Sequence, residues 1–411
     1  MDILRLITCG NVDDGKSTLL GRLLHDTKSI FEDQWAALQR ISSERGDSAV
    51  NLAFITDGLR AERAQGITID VAHRYFSTPR RKFILADCPG HLEFTRNMVT
   101  GASSAQVALL LVDAQRGITE QTRRHAFLVS LLRVRHLVVC VNKMDLVGFA
   151  EARFDEIRDQ VMAFAERLEG VEVQFIPIAA LHGDNVVERS ARMPWYAGTP
   201  LLYALENFYV RNEANLVDAR FSVQLVMESA GKRLLAGRVA SGVLRPGEEL
   251  VHLPSGRPLK ICRIDVAGEE TAEARHPMSV ALEVDATFAI QRGDMLARPH
   301  NHPTPATELD AMVCWLDERP LELGRTYRIR QAEREVGGSV AEILYTIDVN
   351  TLRRQPAADG RLPMNAIARA ALKVDAVIFA DAYRRNRETG SLLIIDPETN
   401  ATAGAAMILA P

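Results

Sequence analysis

Gly10-Asn11-Val12-Asp13-Asp14-Gly15-Lys16-Ser17 decides how the first half of the chain is read. It matches the spacing GxxxxGK[ST]. Residues 3–9 before it form an apolar run that reads as a strand, and residues 16–25 after it read as a helix. A glycine-rich turn between a strand and a helix is the setting this pattern needs. Backbone N–H groups from Gly10 to Thr18 then surround a phosphate at the helix N-terminus. Glycine allows the close approach of backbone to phosphate. Lys16 reaches the outer phosphates, and the Ser17 hydroxyl is the expected Mg²⁺ ligand.

Two further stretches follow in order. Asp87-Cys88-Pro89-Gly90 closes the apolar strand 82–87. Asp87 at that strand end is placed to hold the magnesium shell, directly or through water. The Gly90 N–H lies where a terminal phosphate would be sensed. Asn142-Lys143-Met144-Asp145 closes the strand 136–141. A carboxylate at Asp145 accepts two bonds from guanine, from the ring N–H and the 2-amino group. Adenine lacks both donors and would leave the carboxylate unpaired, which rejects it strongly. Asn142 and Lys143 brace base and phosphate loop. Ala179-Ala180-Leu181, after the last strand, offers backbone N–H to the guanine oxygen. Together the three stretches imply a GTP-binding domain.

The surrounding pattern agrees. Strands at 3–9, 82–87, 107–112, 136–141 and 173–178 alternate with helices at 16–25, 93–101, 120–133, 151–168 and 199–208. Such alternation predicts an α/β P-loop domain with a mainly parallel sheet and helices on both faces. The charged stretch 26–68 is too long for an ordinary connection and reads as a switch region. After about residue 212, short strand-like segments punctuated by Gly and Pro predict two small β-barrels. Examples are 236–242, 244–250 and the turn 253–256. His300-Asn301-His302-Pro303-Thr304-Pro305 reads as a linker. The expected domains are 1–212, 213–303 and 304–411.

Composition narrows the class. The hydrophobic fraction of 47% is that of a globular chain, which removes wholesale disorder. With 49 Lys+Arg against 53 Asp+Glu, a protein living on nucleic-acid phosphates through bulk basicity is excluded, though a local basic patch is not. The cysteines Cys9, Cys88, Cys140, Cys262 and Cys314 are odd in number and contain no CxxC pair, which fits a reducing cytoplasm. No secretory signal and no apolar run of membrane-spanning length is seen.

Glu62-Arg63-Ala64-Gln65-Gly66-Ile67-Thr68-Ile69 and Asp87-Cys88-Pro89-Gly90-His91 resemble the switch I and switch II motifs of the translation-factor class of GTPases, the elongation factor Tu-like proteins. Within that class, the run from Asn11 through His25-Asp26-Thr27 resembles the large GTPase subunit of bacterial sulfate adenylyltransferase. Residues 66–78, Thr95-Arg96-Asn97-Met98, Leu181-His182-Gly183-Asp184-Asn185-Val186 and Met193-Pro194-Trp195-Tyr196 carry the same likeness. It is dense to about residue 208 and looser beyond. The chain departs from the family pattern at Leu92-Glu93-Phe94, at Ala179 and around Asn365-Ala366-Ile367-Ala368-Arg369. The resemblance implies that Thr68 ligates Mg²⁺ in the GTP state and that His91 positions the attacking water. It makes Lys16, Thr68, Gly90 and His91 the expected catalytic set, and Ser17, Thr68 and Asp87 the expected metal set. It also implies a partner: a small adenylyltransferase subunit joins ATP and sulfate in a heterodimer, and GTP hydrolysis drives that uphill step. No kinase for the phosphosulfate product is expected after the second barrel. Two other readings stay open: a translation-type GTPase that binds tRNA or the ribosome, and a diverged paralogue that scaffolds a specialised sulfation pathway.

Other residues carry less. His300 and His302 have the spacing of a metal pair but no acidic or cysteine companions nearby. Cys9 and Cys88, close to the nucleotide stretches, read as buried small hydrophobes. Arg22, Arg96, Arg123 and Arg124 read either as partner contacts or as ion pairs. Trp195 with Tyr196 reads as a packing anchor before the last helix.

Overall fold

A computed structural model describes residues 3–30, 36, 70–209, 215–229, 232–357 and 360–411. The chain divides into two compact units, the first formed by Met1–Arg211 and the second by most of Asn212–Pro411.

The first unit is a three-layer α/β domain. Its strands are β1 (Ile3–Gly10), β2 (Ala72–Ser77), β3 (Lys82–Asp87), β4 (Val107–Asp113), β5 (His136–Asn142) and β6 (Glu172–Pro177). They form one sheet in the order β2-β3-β1-β4-β5-β6. Only the β2–β3 pairing is antiparallel. The helices are α1 (Lys16–Asp26), α2 (Thr95–Ser103), α3 (Glu120–Leu131), α4 (Glu151–Ala165) and α5 (Leu201–Asn207). Central β4 is apolar along nearly its whole length and buried at every residue. That is the mark of a parallel strand covered on both faces. The register sets Thr8 beside Asp87 and Asp113 beside Asn142, so the carboxyl ends of β1, β3, β4 and β5 converge on one edge of the sheet. Ligands of open α/β sheets gather at that edge.

Strand β2 is absent from the strands expected above. Only Phe76 of its six residues is buried, where it stacks on Phe83 at 4.5 Å between centroids. An exposed edge strand shows too little apolar alternation to be read from sequence. The helix expected at 93–101 starts later, at Thr95, after a 3₁₀ turn over Leu92–Phe94. Trp195 and Tyr196 do anchor the packing: both rings lie on Phe154, and Trp195 Nε1 donates to Phe149 O at 2.9 Å. Residues 31–35 and 37–69, which take in Thr68 and most of the expected switch stretch, lie outside the described residues.

The second unit holds two antiparallel barrels. In the first, the ring runs Glu249–Leu253, Met295–Ala297, Arg220–Ser229, Lys232–Ser241, Ser279–Val284, Arg257–Val266, and back to Glu249–Leu253. Its core includes Phe221, Leu235, Ile261 and Leu282. A bulge between Ile261 and Arg263 shifts the phase, so Leu259 and Ile261 face inward, then Ile264, and Cys262 is left exposed. In the second barrel, the ring runs Tyr327–Gln331, Ser391–Ile395, Thr402–Ala410, Thr304–Trp315, Ile367–Ala380, Arg334–Ile347, and back to Tyr327–Gln331. Trp315 is buried in its core, edge-on to Tyr327. The expected linker 300–305 is shorter than read: a strand already begins at Thr304, and Arg298 bridges to Asn301.

Candidate functional site

β1 delivers the loop 10–15 to the start of α1. Helix α1 has no side-chain cap at its N-terminus, so its first N–H groups are left for an anion. Gly15 at the cap position has φ +91 and faces Asn142: a Cβ there would lie 2.3 Å from Asn142 Nδ2. Any side chain would therefore break both the turn and the contact. Lys16 is buried, with Nζ donating to Asn11 O at 2.7 Å and to Gly10 O at 3.3 Å. Burial lowers its pKa, and the carboxylates of Asp87 and Asp14 oppose that shift. Ser17 and Thr18 occupy the first turn, half-buried.

The loop is tied down from beneath. Asp14 Oδ2 accepts the Asn11 N–H at 2.7 Å, and burial pushes its carboxyl up to about 6. Val12 O accepts from Arg116 at 3.2 Å, and Asp13 lies 3.7 Å from the same guanidinium. A residue outside the sequence reading enters here. His125 on α3 is fully buried, and its Nδ1 accepts the Gly10 N–H at 2.9 Å. Its Nε2 lies 2.9 Å from the Gln121 amide. Burial, helped by Lys16 and Arg124, pushes the imidazole down to about 3. With Nδ1 accepting and the ring neutral, Nε2 carries the proton and Gln121 must turn its oxygen to it. The sequence signal was present as Gln121 and His125 four apart on one helix face, but buried histidines are ordinary core residues.

The second stretch meets the first closely. Asp87 is buried, and its Oδ1 accepts from Thr8 Oγ1 at 2.6 Å. Gly90 packs against the phosphate loop so tightly that a Cβ would lie 2.4 Å from Lys16 Nζ and 2.7 Å from the Asn11 carbonyl carbon. Cys9 and Cys88 are both fully buried small side chains, as read. Burial pushes the Cys9 thiol up to about 12 and that of Cys88 well above its ordinary value. Neither is a nucleophile in that state. Pro89 leads into Gly90, and His91 follows it on the outside. The His91 ring is exposed, 3.8 Å from Glu93 and near the Phe94 ring.

Asn142 joins the third stretch to the first. Its Nδ2 donates to Asp14 O at 2.8 Å and its Oδ1 accepts the Ala180 N–H at 3.0 Å. Lys143, at φ +63, donates to Asp113 Oδ2 at 2.8 Å. Burial works against the Asp113 charge, but Lys143 and the Gln115 and Arg116 N–H groups outweigh it and hold the carboxyl below its ordinary value. Asp145 is half-buried, and His182 Nε2 lies 3.6 Å from its Oδ2. Of the three N–H groups expected to face the guanine oxygen, Ala179 donates to Asp184 O and Ala180 to Asn142. The expectation therefore narrows to Leu181, whose side chain is half exposed. The ion-pair reading of two arginines also holds: Arg22 with Asp26 at 3.5 Å, and Arg124 with Glu120 at 3.1 Å.

Oxygen donors suit Mg²⁺, and the described residues supply a hydroxyl at Ser17 and a carboxylate at Asp87 with one oxygen already bonded to Thr8. That sparse set fits an ion that keeps waters and takes further ligands from substrate phosphates. Among the described residues, no helix is long and apolar enough to cross a membrane.

Comparison with known proteins agrees with this geometry. Residues 1–223 match the family model "Elongation factor Tu GTP binding domain", and residues 308–409 match "GTP-eEF1A C-terminal domain-like". A sulfate adenylyltransferase subunit 1 from Laribacter hongkongensis is 47% identical, over 99% of this chain and 85% of its own length. A bifunctional enzyme CysN/CysC from Mycobacterium tuberculosis is 52% identical, over 99% of this chain and 67% of its own. Among solved structures, the GTPase-like domain of Ski7 from S. cerevisiae, bound to GDP and inorganic phosphate, has a TM-score of 0.58 at 18% identity and covers 100% of this chain and 98% of its own, which speaks for the fold alone. The chain thus carries a GTP-binding domain, and it belongs to the sulfate adenylyltransferase subunit 1 family of translation-factor GTPases.

Proposed function

We propose that this chain is the GTPase subunit of a cytoplasmic ATP:sulfate adenylyltransferase and that it works with a smaller catalytic subunit. That partner joins ATP and sulfate into adenosine 5′-phosphosulfate and pyrophosphate. GTP hydrolysis here drives the uphill anhydride forward. The observation that carries the reading is the Asn142 side chain, which bonds the phosphate loop on one side and the 179–181 loop on the other. One residue thereby links the phosphate end of a nucleotide site to its base end, on a chain nearly half identical to named subunits of that enzyme.

The residues divide the work as follows. Gly10, Asn11 and Val12 have spent their N–H groups on His125, Asp14 and Asn11, so the backbone N–H groups of Asp13 and of Gly15 to Thr18 hold the phosphates, and Lys16 offsets their charge. Asp145 and the Leu181 N–H take the guanine. Ser17, Thr68 and Asp87 would hold Mg²⁺, which supplies neutralisation of the phosphate oxygens. The Gly90 N–H meets the terminal phosphate, and its loss on hydrolysis releases the loop. His91 turns toward that phosphate and orients the attacking water. Such orientation needs no strong base, because phosphoryl transfer rests on positioning and charge. Coupling requires that the GTP and GDP states of these loops bind the partner's conformations unequally.

GTP hydrolysis is measured for the chain alone, with its small subunit, and with that subunit plus ATP and sulfate, while adenosine phosphosulfate is followed. The expected result is a large rise in turnover only in the complete mixture, with little product when GTP is withheld. Turnover indifferent to partner, ATP and sulfate would overturn the coupled role, and copurifying RNA would point to a translation-type GTPase instead.

A further inference from the structure

Arg22 lies in the second half of α1, the helix that begins at Lys16. Its guanidinium reaches the 179–181 loop, where Nε donates to Ala180 O at 3.2 Å and Nη2 donates to Leu181 O. Nη1 is held by Asp26 at 3.5 Å, and the stem runs past Gly183, where a Cβ would lie 3.6 Å from Arg22 Cδ. A planar guanidinium can hold two adjacent carbonyls at once, through charge-assisted bonds stronger than neutral ones.

These bonds fix the direction of the peptide planes. The Ala180–Leu181 peptide is trans, so its N–H points opposite to its carbonyl. Drawing the Ala180 carbonyl onto α1 turns the Leu181 N–H away from α1. Ala179 and Ala180 have already spent their N–H groups on Asp184 and Asn142. Leu181 is therefore the one donor of the three still directed outward, and Arg22 sets its direction. We propose that Arg22 is a positioning residue for base recognition: it aims the Leu181 N–H at the 6-oxygen of guanine and ties that aim to the helix that begins at the phosphate loop.

The inference rests on the guanine-nucleotide reading above, and the test separates the two. Binding of GDP, ADP and 6-thioguanosine diphosphate, which keeps the ring N–H and the 2-amino group but offers a weakly accepting sulfur in place of the 6-oxygen, is measured by calorimetry on wild type, R22A and R22K. Wild type should prefer GDP to both. In R22A, GDP affinity should fall about tenfold, the loss of one oriented hydrogen bond, while affinity for the analogue changes less than about twofold. R22K, with one ammonium for two carbonyls, should recover only part of the preference. A merely structural role would weaken GDP and the analogue alike, and that result overturns the proposal, as does unchanged discrimination in R22A. Wild type that fails to prefer GDP over ADP would bring down the guanine reading itself, and the Arg22 assignment with it. Circular dichroism melting of R22A and R22K shows that both variants are folded at the binding temperature.

Discussion

Beneath the phosphate loop, two titratable side chains work against each other. Free histidine titrates near 6.5, but buried His125 is pushed down to about 3. The unfolded chain takes up that proton first, so the stability it contributes is full above pH 6.5 and is lost as pH falls toward 3. Asp14 is raised from 3.8 to about 6, so the folded state takes up its proton first. Its contribution has the opposite sign: stability grows as pH falls from about 6 toward 3.8. Each proton difference is worth up to ~1.4 kcal/mol per pH unit, so between pH 6 and 4 the two largely cancel. In D14N, which keeps an acceptor for the Asn11 N–H, melting temperature should drop more steeply than wild type across this range. In H125Q it should flatten or rise. Melting curves at half-unit pH steps decide the matter, and parallel profiles for all three proteins would refute the opposition. A second prediction concerns Gly90. A Cβ there meets backbone atoms of Asn11 as well as Lys16, so the loop must move. G90A should keep GDP binding within about threefold and lose at least tenfold in GTP hydrolysis, measured by phosphate release.

At the scale of elements, the β2–β3 turn supports α5. Arg81 is buried and its Nη1 donates to Leu205 O at 3.1 Å and Phe208 O at 2.8 Å. Those are carbonyls at the C-terminal end of a seven-residue helix, where a cation also meets the negative end of the dipole. R81A should lower stability by about 2 kcal/mol, because it leaves buried carbonyls unsatisfied, with catalysis per folded molecule unchanged. Urea denaturation read against GTP turnover separates the two. The same elements show what the sequence could disclose. Strands β1, β4 and β5 were readable because burial on both faces demands apolar runs. β2 was not, because an edge strand with one buried residue has no such demand. The P-loop stretch, Asp87 and Asn142 were readable because phosphate and base need those residue types at fixed spacings. His125, Thr8, Asp113 and the loop contacts of Arg22 were not, because these roles come from contacts between residues far apart in the chain, and nothing local distinguishes them from core or surface residues.

The whole second unit depends on a buried charge pair that joins its two barrels. Arg220, on the first barrel, is fully buried, and its guanidinium meets Asp381, just after the strand Ile367–Ala380 of the second, at 3.0 and 3.1 Å. Thr389 donates to Asp381 Oδ2 at 2.7 Å, and Arg220 also donates to Ala219 O and Asn301 O. Nearby, Arg385 grips Asp218 with two bonds at 2.6 and 2.7 Å, and Asn386 donates to Ser241 Oγ at 2.8 Å. The bonds from Arg220 to Asp381, Arg385 to Asp218 and Asn386 to Ser241 each run from one barrel or its flanking residues to the other. Burial makes the pair costly to break: removal of one member leaves an uncompensated charge, worth ~3–5 kcal/mol. D381A should therefore destabilise the second unit strongly, while R220M/D381L, which replaces both charges with apolar groups of similar volume, should regain most of that loss. Two melting transitions in D381A, against a shared one in wild type, would show that the barrels unfold together because of this pair. If D381A and the double variant are equally unstable, packing rather than charge pairing holds the barrels together. GTP hydrolysis by the chain alone should stay near wild type in both variants, since none of these residues belongs to the nucleotide site, whereas stimulation by partner, ATP and sulfate should fall in D381A if the barrels act as one body in the coupled cycle.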